Sequence, residues 1–227
     1  MSLILNIETT TKNCSVSLSN KGQLLIIKEL KEGQYSHAEK LHVFIDEVLK
    51  KANKSVQELD AIAVSKGPGS FTGLRIGVST AKGLCFSLDK PLISISTLQS
   101  LANTISVEQN TFIIPLLDAR RMEVYSAVFN ENNIQLRDIQ AEVIDKHSFI
   151  DFLNKGKVYF LGDGAEKCKE IITHKNAIFL DGYFPSAKQM AKLSYDKYKI
   201  SDIEDVAYFE PFYLKDFLVT KSKKNYF

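Results

Sequence analysis

Residues Ser65 to Leu84 read SKGPGSFTGLRIGVSTAKGL, and the fold follows from how this stretch is placed. The preceding DAIAVSK (Asp60 to Lys66) is a short apolar strand, GPGSFTG turns the chain, a helix is predicted from Thr72 to about Leu88, and LISIS (Leu92 to Ser96) is a second strand. That is a β-loop-α-β unit. Gly67, Gly69 and Gly73 flank the helix start, whose exposed N–H groups are able to hold an anion. It is not a Walker loop, which needs Lys and then Ser or Thr directly after its last glycine; Leu74 and Arg75 stand there instead. Against G-x-G-x-x-G, Gly67 and Gly69 match, but Thr72 takes the third place and no acid closes LISIS.

Within the helix, Gly73, Gly77 and Ala81 recur every four residues and share one face. Each glycine costs about 1 kcal/mol relative to alanine, so a bare face implies a backbone brought unusually close. Two surfaces fit it, the protein's own sheet or a helix of a second chain. The outward stripe Arg75, Ser79 and Lys82 is either solvated or paired with acids on a partner.

Outward from this unit, the N-terminal side predicts three antiparallel strands, Leu3 to Ile7, Cys14 to Ser19 and Gln23 to Glu29. Ser36 and Glu39 have capping-box spacing, and Leu41, Phe44, Ile45, Val48 and Leu49 predict a helix ending at Lys50-Lys51. The C-terminal side repeats the order of elements loosely. Strands are expected at Phe112 to Leu117, Val124 to Phe129, Ile134 to Ile144, KVYFLG and AIFL. Helices are expected at about His147 to Leu153, after Gly164, and from Ser186 to Tyr198. The expected architecture is α/β, with two similar lobes, residues 1–105 and 106–227, each carrying a mixed sheet, and a cleft between them.

With 227 residues the chain can bury roughly 70% of its unfolded surface. Its 29 basic and 27 acidic side chains leave a net charge of +2, which argues against a chain-wide nucleic-acid footprint. The basic excess collects at Lys215, Lys221, Lys223 and Lys224, read as a solvated tail or as a local basic site. No apolar run approaches the roughly 20 residues of a membrane span, and MSLILNIETTT lacks the marks of a signal peptide. Cys14, Cys85 and Cys168 are odd in number and far apart, so a reduced, cytosolic protein without disulfides is expected.

His37 and His42 are five apart, so on one helix they point away from each other; His147 and His174 are isolated near element ends, and no metal site is expected. Asp118-Ala119-Arg120-Arg121 falls at a turn between two strands of the second lobe, where two arginines can clamp a phosphate or a carboxylate. Gly162-Asp163-Gly164 is a strand-to-helix turn that can also face an anion. No histidine is positioned to complete a catalytic triad.

ILNIETT at the start, the SHAEKL helix opening, SKGPGSFTGLRIGVSTAKGL, LDARRMEVY and the late PFYLK together resemble the TsaB family, also called YeaZ, over nearly the whole chain. The resemblance implies an actin-like, sugar-kinase-like (ASKHA) fold and a bacterial role in making threonylcarbamoyladenosine in tRNA. It implies a partner without a catalytic site or cofactor of its own, which binds and activates the related TsaD threonylcarbamoyltransferase, with a TsaE-type ATPase joining the assembly and tRNA reached through the complex. An ASKHA enzyme in its own right, ATPase-like or M22 peptidase-like, is the alternative.

TsaD carries a metal-binding H-x-x-x-H; the equivalent places here are Thr97 and Leu101, which cannot replace imidazole ligands. Ala119 and Arg120 stand where the catalytic relative uses glycine-rich turns at nucleotide phosphates. Two smaller departures are Ala38 in place of serine and Lys215 in place of arginine. Association through first-lobe helices, with TsaD or with a second copy, assigns a partner interface to Leu41, Ile45, Gly73, Leu74, Arg75, Gly77, Val78, Ala81 and Lys82.

Overall fold

The computed structural model describes residues 2–30 and 37–215. The first sheet contains β1 (Leu3–Glu8), β2 (Cys14–Asn20), β3 (Gln23–Leu30), β4 (Ala61–Gly67) and β5 (Leu92–Ser96), in the order β3-β2-β1-β4-β5. β1 to β3 form an antiparallel meander, and β1, β4 and β5 run parallel. The parallel connections pass through α1 (His37–Lys51) and α2 (Phe71–Leu88), both on one face of the sheet.

α3 (Thr97–Ala102) follows β5 directly and leads to the second sheet, built from β6 (Phe112–Asp118), β7 (Glu123–Asn130), β8 (Gln135–Val143), β9 (Val158–Leu161) and β10 (Ala177–Leu180), with α4 (Ile150–Leu153) between β8 and β9. Its order, β10-β9-β6-β7-β8, repeats the first sheet strand for strand and sense for sense. The repetition reaches single residues: Gly67 closes β4 at φ 111° and Gly162 follows β9 at φ 110°. At both, a Cβ would collide with a carbonyl oxygen, of Phe212 at 2.9 Å and of Leu116 at 2.2 Å. Only glycine fits a left-handed backbone so close to another chain segment.

All six residues of β1 are buried, so both faces of this sheet are covered. Leu3, Leu5 and Ile7 join Val16 and Leu18 of β2 beneath α1 and α2, while Ile4 lies on the opposite face with Ala61, Ala63, Ile93 and Ile95. That second face is covered by α5 (Ala187–Lys199), which contributes Ala187 and Met190. The helix thus packs on the first sheet, although residues 106–227 were expected to form the second lobe. The physical reason is the serine side of β2. Ser15 accepts a hydrogen bond from Ala187 N (2.8 Å), Ser17 donates to Ala187 O (2.8 Å), and Ser194 donates to Asn6 Oδ1 (2.7 Å). Buried hydroxyls need such partners, and here they lie about 170 residues away in sequence.

Two second-lobe helices are shorter than their apolar patterns predict. Phe149 sits at φ 62°, which breaks the turn begun by Asp145 and Ser148, so α4 starts only at Ile150. After Gly164 only a 3-10 turn, Glu166–Cys168, forms. No helix among the described residues is long and apolar enough to cross a membrane.

Candidate functional site

β1, the central strand of the first sheet, ends at Glu8, and its counterpart β6 ends at Asp118. Glu8 is fully buried. Its Oε1 accepts from Thr10 N and Thr10 Oγ1, both at 2.6 Å, and Ser65 Oγ closes on Oε2. Burial raises the pKa of its carboxyl, against the lowering effect of these hydrogen bonds. Three of the carboxyl's acceptor positions are thus taken by the protein's own donors.

The loop after Glu8 receives the glycine face of α2. A Cβ on Gly69 would lie 2.6 Å from Thr10 O, one on Gly73 2.0 Å from Thr9 O, and one on Gly77 2.3 Å from Thr9 Oγ1. Thr9 Oγ1 donates to Gly73 O (2.8 Å) and Ser70 N donates to Thr10 O (2.7 Å), while Ser70 Oγ caps α2 by accepting from Gly73 N. Of the two readings of the bare face, the chain's own backbone takes it. Two amides at this helix start, Ser70 N and Gly73 N, are therefore committed within the fold.

The β6–β7 turn is committed in the same way. Ala119 N donates to Glu123 O, Arg120 N to Asp118 Oδ1 (3.0 Å) and Glu123 N to Arg120 O. Lys167 places its ammonium inside the turn, donating to Arg121 O (2.8 Å), Glu123 O (2.7 Å) and the Asp118 carboxylate. A phosphate needs free, converging N–H groups; this turn presents carbonyl oxygens already occupied by a cation. Arg120 and Arg121 both adopt positive φ, 72° and 51°, and their side chains are exposed. Asp163 Oδ1 accepts from Asp118 N (3.0 Å), and burial raises the Asp163 pKa.

The histidines are dispersed. His37 is buried with Nε2 2.8 Å from Thr11 O, His42 and His147 are exposed, and His174 Nδ1 accepts from Asn176 N. Among the described residues no group of three His, Cys, Asp or Glu side chains is placed to hold an ion. Thr97 and Leu101 are both fully buried on α3, where Leu98, Leu101 and Ala102 pack into the second-lobe core. All three cysteines are buried, and burial pushes the thiols of Cys14, Cys85 and Cys168 up to about 11, 12 and 11, so none is a ready nucleophile.

Seven of the nine residues expected at a partner interface face inward. Leu41, Ile45, Leu74, Val78 and Ala81 lie within the first-lobe interior, and Gly73 and Gly77 meet the Thr9 loop. Lys82 is half-buried and holds the C-terminal segment by donating to Ala207 O (3.2 Å) and Phe209 O (2.9 Å), and Arg75 is exposed with its guanidinium 5.2 Å from the Phe71 ring centroid. The interface expected from the resemblance fell on the apolar stripe of the two helices, which packs on the sheet. The two helices present outward Thr72, Arg75, Ser79, Gly83 and Phe86 on α2, at three- and four-residue spacing, with Ser87 beside them, and on α1 Ala38, His42 and Val43 among the charged Glu39, Lys40, Asp46, Lys50 and Lys51. Phe86 is 86% exposed and Val43 49%. The glycine and alanine spacing identified the helix, but the outward residues carry no apolar period to find them by.

Glu8 and its threonines were legible only as part of the ILNIETT match. The raised carboxyl pKa gives a testable sign. Below the unfolded pKa, near 4.5, the proton is bound in both states; above it the unfolded chain releases the proton first, so stability falls as pH rises toward the higher folded value. Glu8→Gln is expected to remove that part of the decline. Urea unfolding of both proteins at several pH values checks it, and parallel pH profiles would contradict the assignment.

Residues 31–222 match the family model described as TsaD, tRNA N6-adenosine threonylcarbamoyltransferase. The chain is 32% identical to the tRNA threonylcarbamoyladenosine biosynthesis protein TsaB of Haemophilus influenzae, covering 94% of this chain and 93% of that one. It is 28% identical to the Escherichia coli protein of the same name, with 94% of each covered. Among solved structures, YeaZ from Pseudomonas aeruginosa superposes with a TM-score of 0.82 at 24% identity, covering 94% of this chain and 100% of that one.

Proposed function

The chain belongs to the TsaD-like family and, within it, to TsaB, the tRNA threonylcarbamoyladenosine biosynthesis proteins, and on that basis we propose that it is a non-catalytic subunit of the modification complex. In this reading it binds and activates a TsaD-type threonylcarbamoyltransferase, together with a TsaE-type ATPase, in the cytoplasm. Transferred adenosine chemistry belongs to the partner, and tRNA is engaged by the assembly.

The observation that carries the reading is the state of the two turns where a nucleotide or ion would be expected. Glu8 is enclosed by Thr10 and Ser65, the Gly73 amide of α2 is used by Ser70, and Lys167 fills the β6–β7 turn. These groups are bonded to the protein itself, and opening them would cost several hydrogen bonds at about 1 kcal/mol each, more where a charge is left unpaired. A catalytic fold retained without accessible donors is suited to docking. The buried thiols weigh against a cysteine-dependent hydrolase in the same way.

The docking surface we assign is the outer face of α1 and α2, with Val43, Ser79, Gly83 and Phe86, in place of the inward residues Leu41, Ile45, Gly73, Leu74, Gly77, Val78 and Ala81. Small residues beside an exposed aromatic let a second helix pair come close, and a bundle of standard size buries about 1,600 Å² in total. In the absence of the partner the same face pairs with a second copy. Size-exclusion chromatography tests both statements: the chain alone is expected at dimer mass, and to co-elute with its TsaD- and TsaE-type partners in the presence of ATP. Separate elution under all conditions would refute the reading.

A further inference from the structure

Away from the inter-lobe turns, the outer side of α5 faces the β2–β3 turn at Lys21-Gly22. Gly22 lies at φ 76°, and a Cβ there would come within 3.0 Å of Tyr195 Cδ1, so the turn rests on the tyrosine ring. Two clefts open on either side of this contact. The larger, about 460 Å³, is lined by Lys21, Tyr195, Tyr198 and Lys199 among others. The smaller, about 270 Å³, is lined by Gly22, Lys188 and Lys192 among others. Lys188, Lys192, Tyr195 and Lys199 recur at spacings of four, three and four, which places them on one stripe of α5.

The charges along the stripe are poorly balanced. Lys192 and Lys199 share the single carboxylate of Asp196, at 2.5 and 2.9 Å. Lys21 and Lys188 have no carboxylate within ion-pair distance among the described residues. Lys199 Nζ also sits 4.8 Å from the Tyr195 ring centroid, which holds the ammonium at the cleft rim. Tyr198 is half-buried: it packs against the core beneath α5 and also lines the larger cleft. The last carbonyls of α5 are not left facing the cleft, since Lys197 O and Tyr198 O accept from Ile200 N, Ser201 N and Asp202 N.

We propose that this lysine-and-tyrosine trough along α5 is a direct contact for single-stranded RNA, with an unpaired base against Tyr198 and the flanking phosphates on Lys21, Lys199, Lys188 and Lys192. A row of ammonium groups tracks a phosphate backbone, and an aromatic wall accepts a base face whatever its sequence. The larger cleft falls in the size range of ligand pockets, 300 to 1,000 Å³ on the order of one nucleotide. The site lies on the described part of the chain; Lys221, Lys223 and Lys224 fall outside the described residues. It does not depend on the docking surface of α1 and α2.

Fluorescence anisotropy of a fluorescein-labelled RNA hairpin with a single-stranded loop, titrated with the full chain alone at several salt concentrations, tests the proposal. The paired reversals K21E/K199E and K188E/K192E are each expected to weaken binding at low salt at least about 10-fold and to flatten the salt dependence by roughly one to two phosphates. Tyr198→Ala is expected to weaken binding about 5- to 100-fold with the salt slope unchanged. K155E/K175E, on exposed lysines of the second lobe, is the control for generic attraction. Thermal melting verifies that each variant is folded, and either lysine pair suffices if the other is not. Undetectable RNA binding, equal weakening by the control pair, or displacement of the RNA by stoichiometric ATP would overturn the proposal, the last by making the cleft a mononucleotide site.

Discussion

Gly73→Ala is expected to destabilise the chain by about 3 kcal/mol or more, while Gly83→Ala on the same helix is expected to stabilise it by up to about 1 kcal/mol. The two substitutions add the same methyl group. At Gly73 it would sit 2.0 Å from the carbonyl oxygen of Thr9, a backbone atom that cannot swing aside. Making room means moving the loop after β1, which breaks the Thr9 Oγ1 bond to Gly73 O and strains the Thr10 bonds to Glu8. At Gly83 nothing lies within 4 Å of the added atom, so only the helix propensity changes. Urea midpoints with unchanged m-values separate the two, and equal effects would contradict the assignment of the bare face to the chain's own loop.

Phe86→Asp is expected to lower affinity for the TsaD-type partner at least about 30-fold, in the range of an aromatic hot spot, with little change in melting temperature. Phe86 is 86% exposed, so the free fold loses almost no packing when it is replaced. Leu74→Asp, twelve residues earlier on the same helix, is expected to unfold the chain, because Leu74 is 1% exposed and a charge there has no partner. Calorimetric titration of the partner, with circular dichroism of each variant, reads both. Normal partner binding by folded Phe86→Asp would remove this face from the interface.

The order of strands and the helices α1, α2 and α5 were legible because period-2 and period-3.6 apolar patterns survive wherever one face is buried. The pattern does not say what does the burying. Gly73 and Gly77 signalled a close approach, but sequence alone left open whether the protein's own sheet or a helix of another chain was the neighbour; the loop at Thr9, just after β1, takes the place. The alternation of Val16 and Leu18 with serines fits a strand with one wet face, yet Ser15, Ser17 and Ser19 are buried, the first two bonded to Ala187 of α5 and Ser19 to Asn6 and Ile4 of β1. Such long-range polar pairing leaves no local trace. Lys167 was missed for the same reason, since its three acceptors lie 44 to 49 residues away around the β6–β7 turn. α3 escaped notice because six residues are too few to show a period, and Phe149 because a left-handed phenylalanine has no sequence signature. The interface expected from the resemblance included apolar residues of α1 and α2 that face inward; where helices cover a sheet, that stripe belongs to the sheet.

The most direct test is transfer of labelled threonylcarbamoyl to tRNA, with the donor supplied, by this chain alone, by the TsaD- and TsaE-type partners without it, and by the three together. The account predicts no transfer by the isolated chain and a large rise when it joins the partners. Turnover by the isolated chain, lost when Glu8 or Asp118 is replaced, would contradict it.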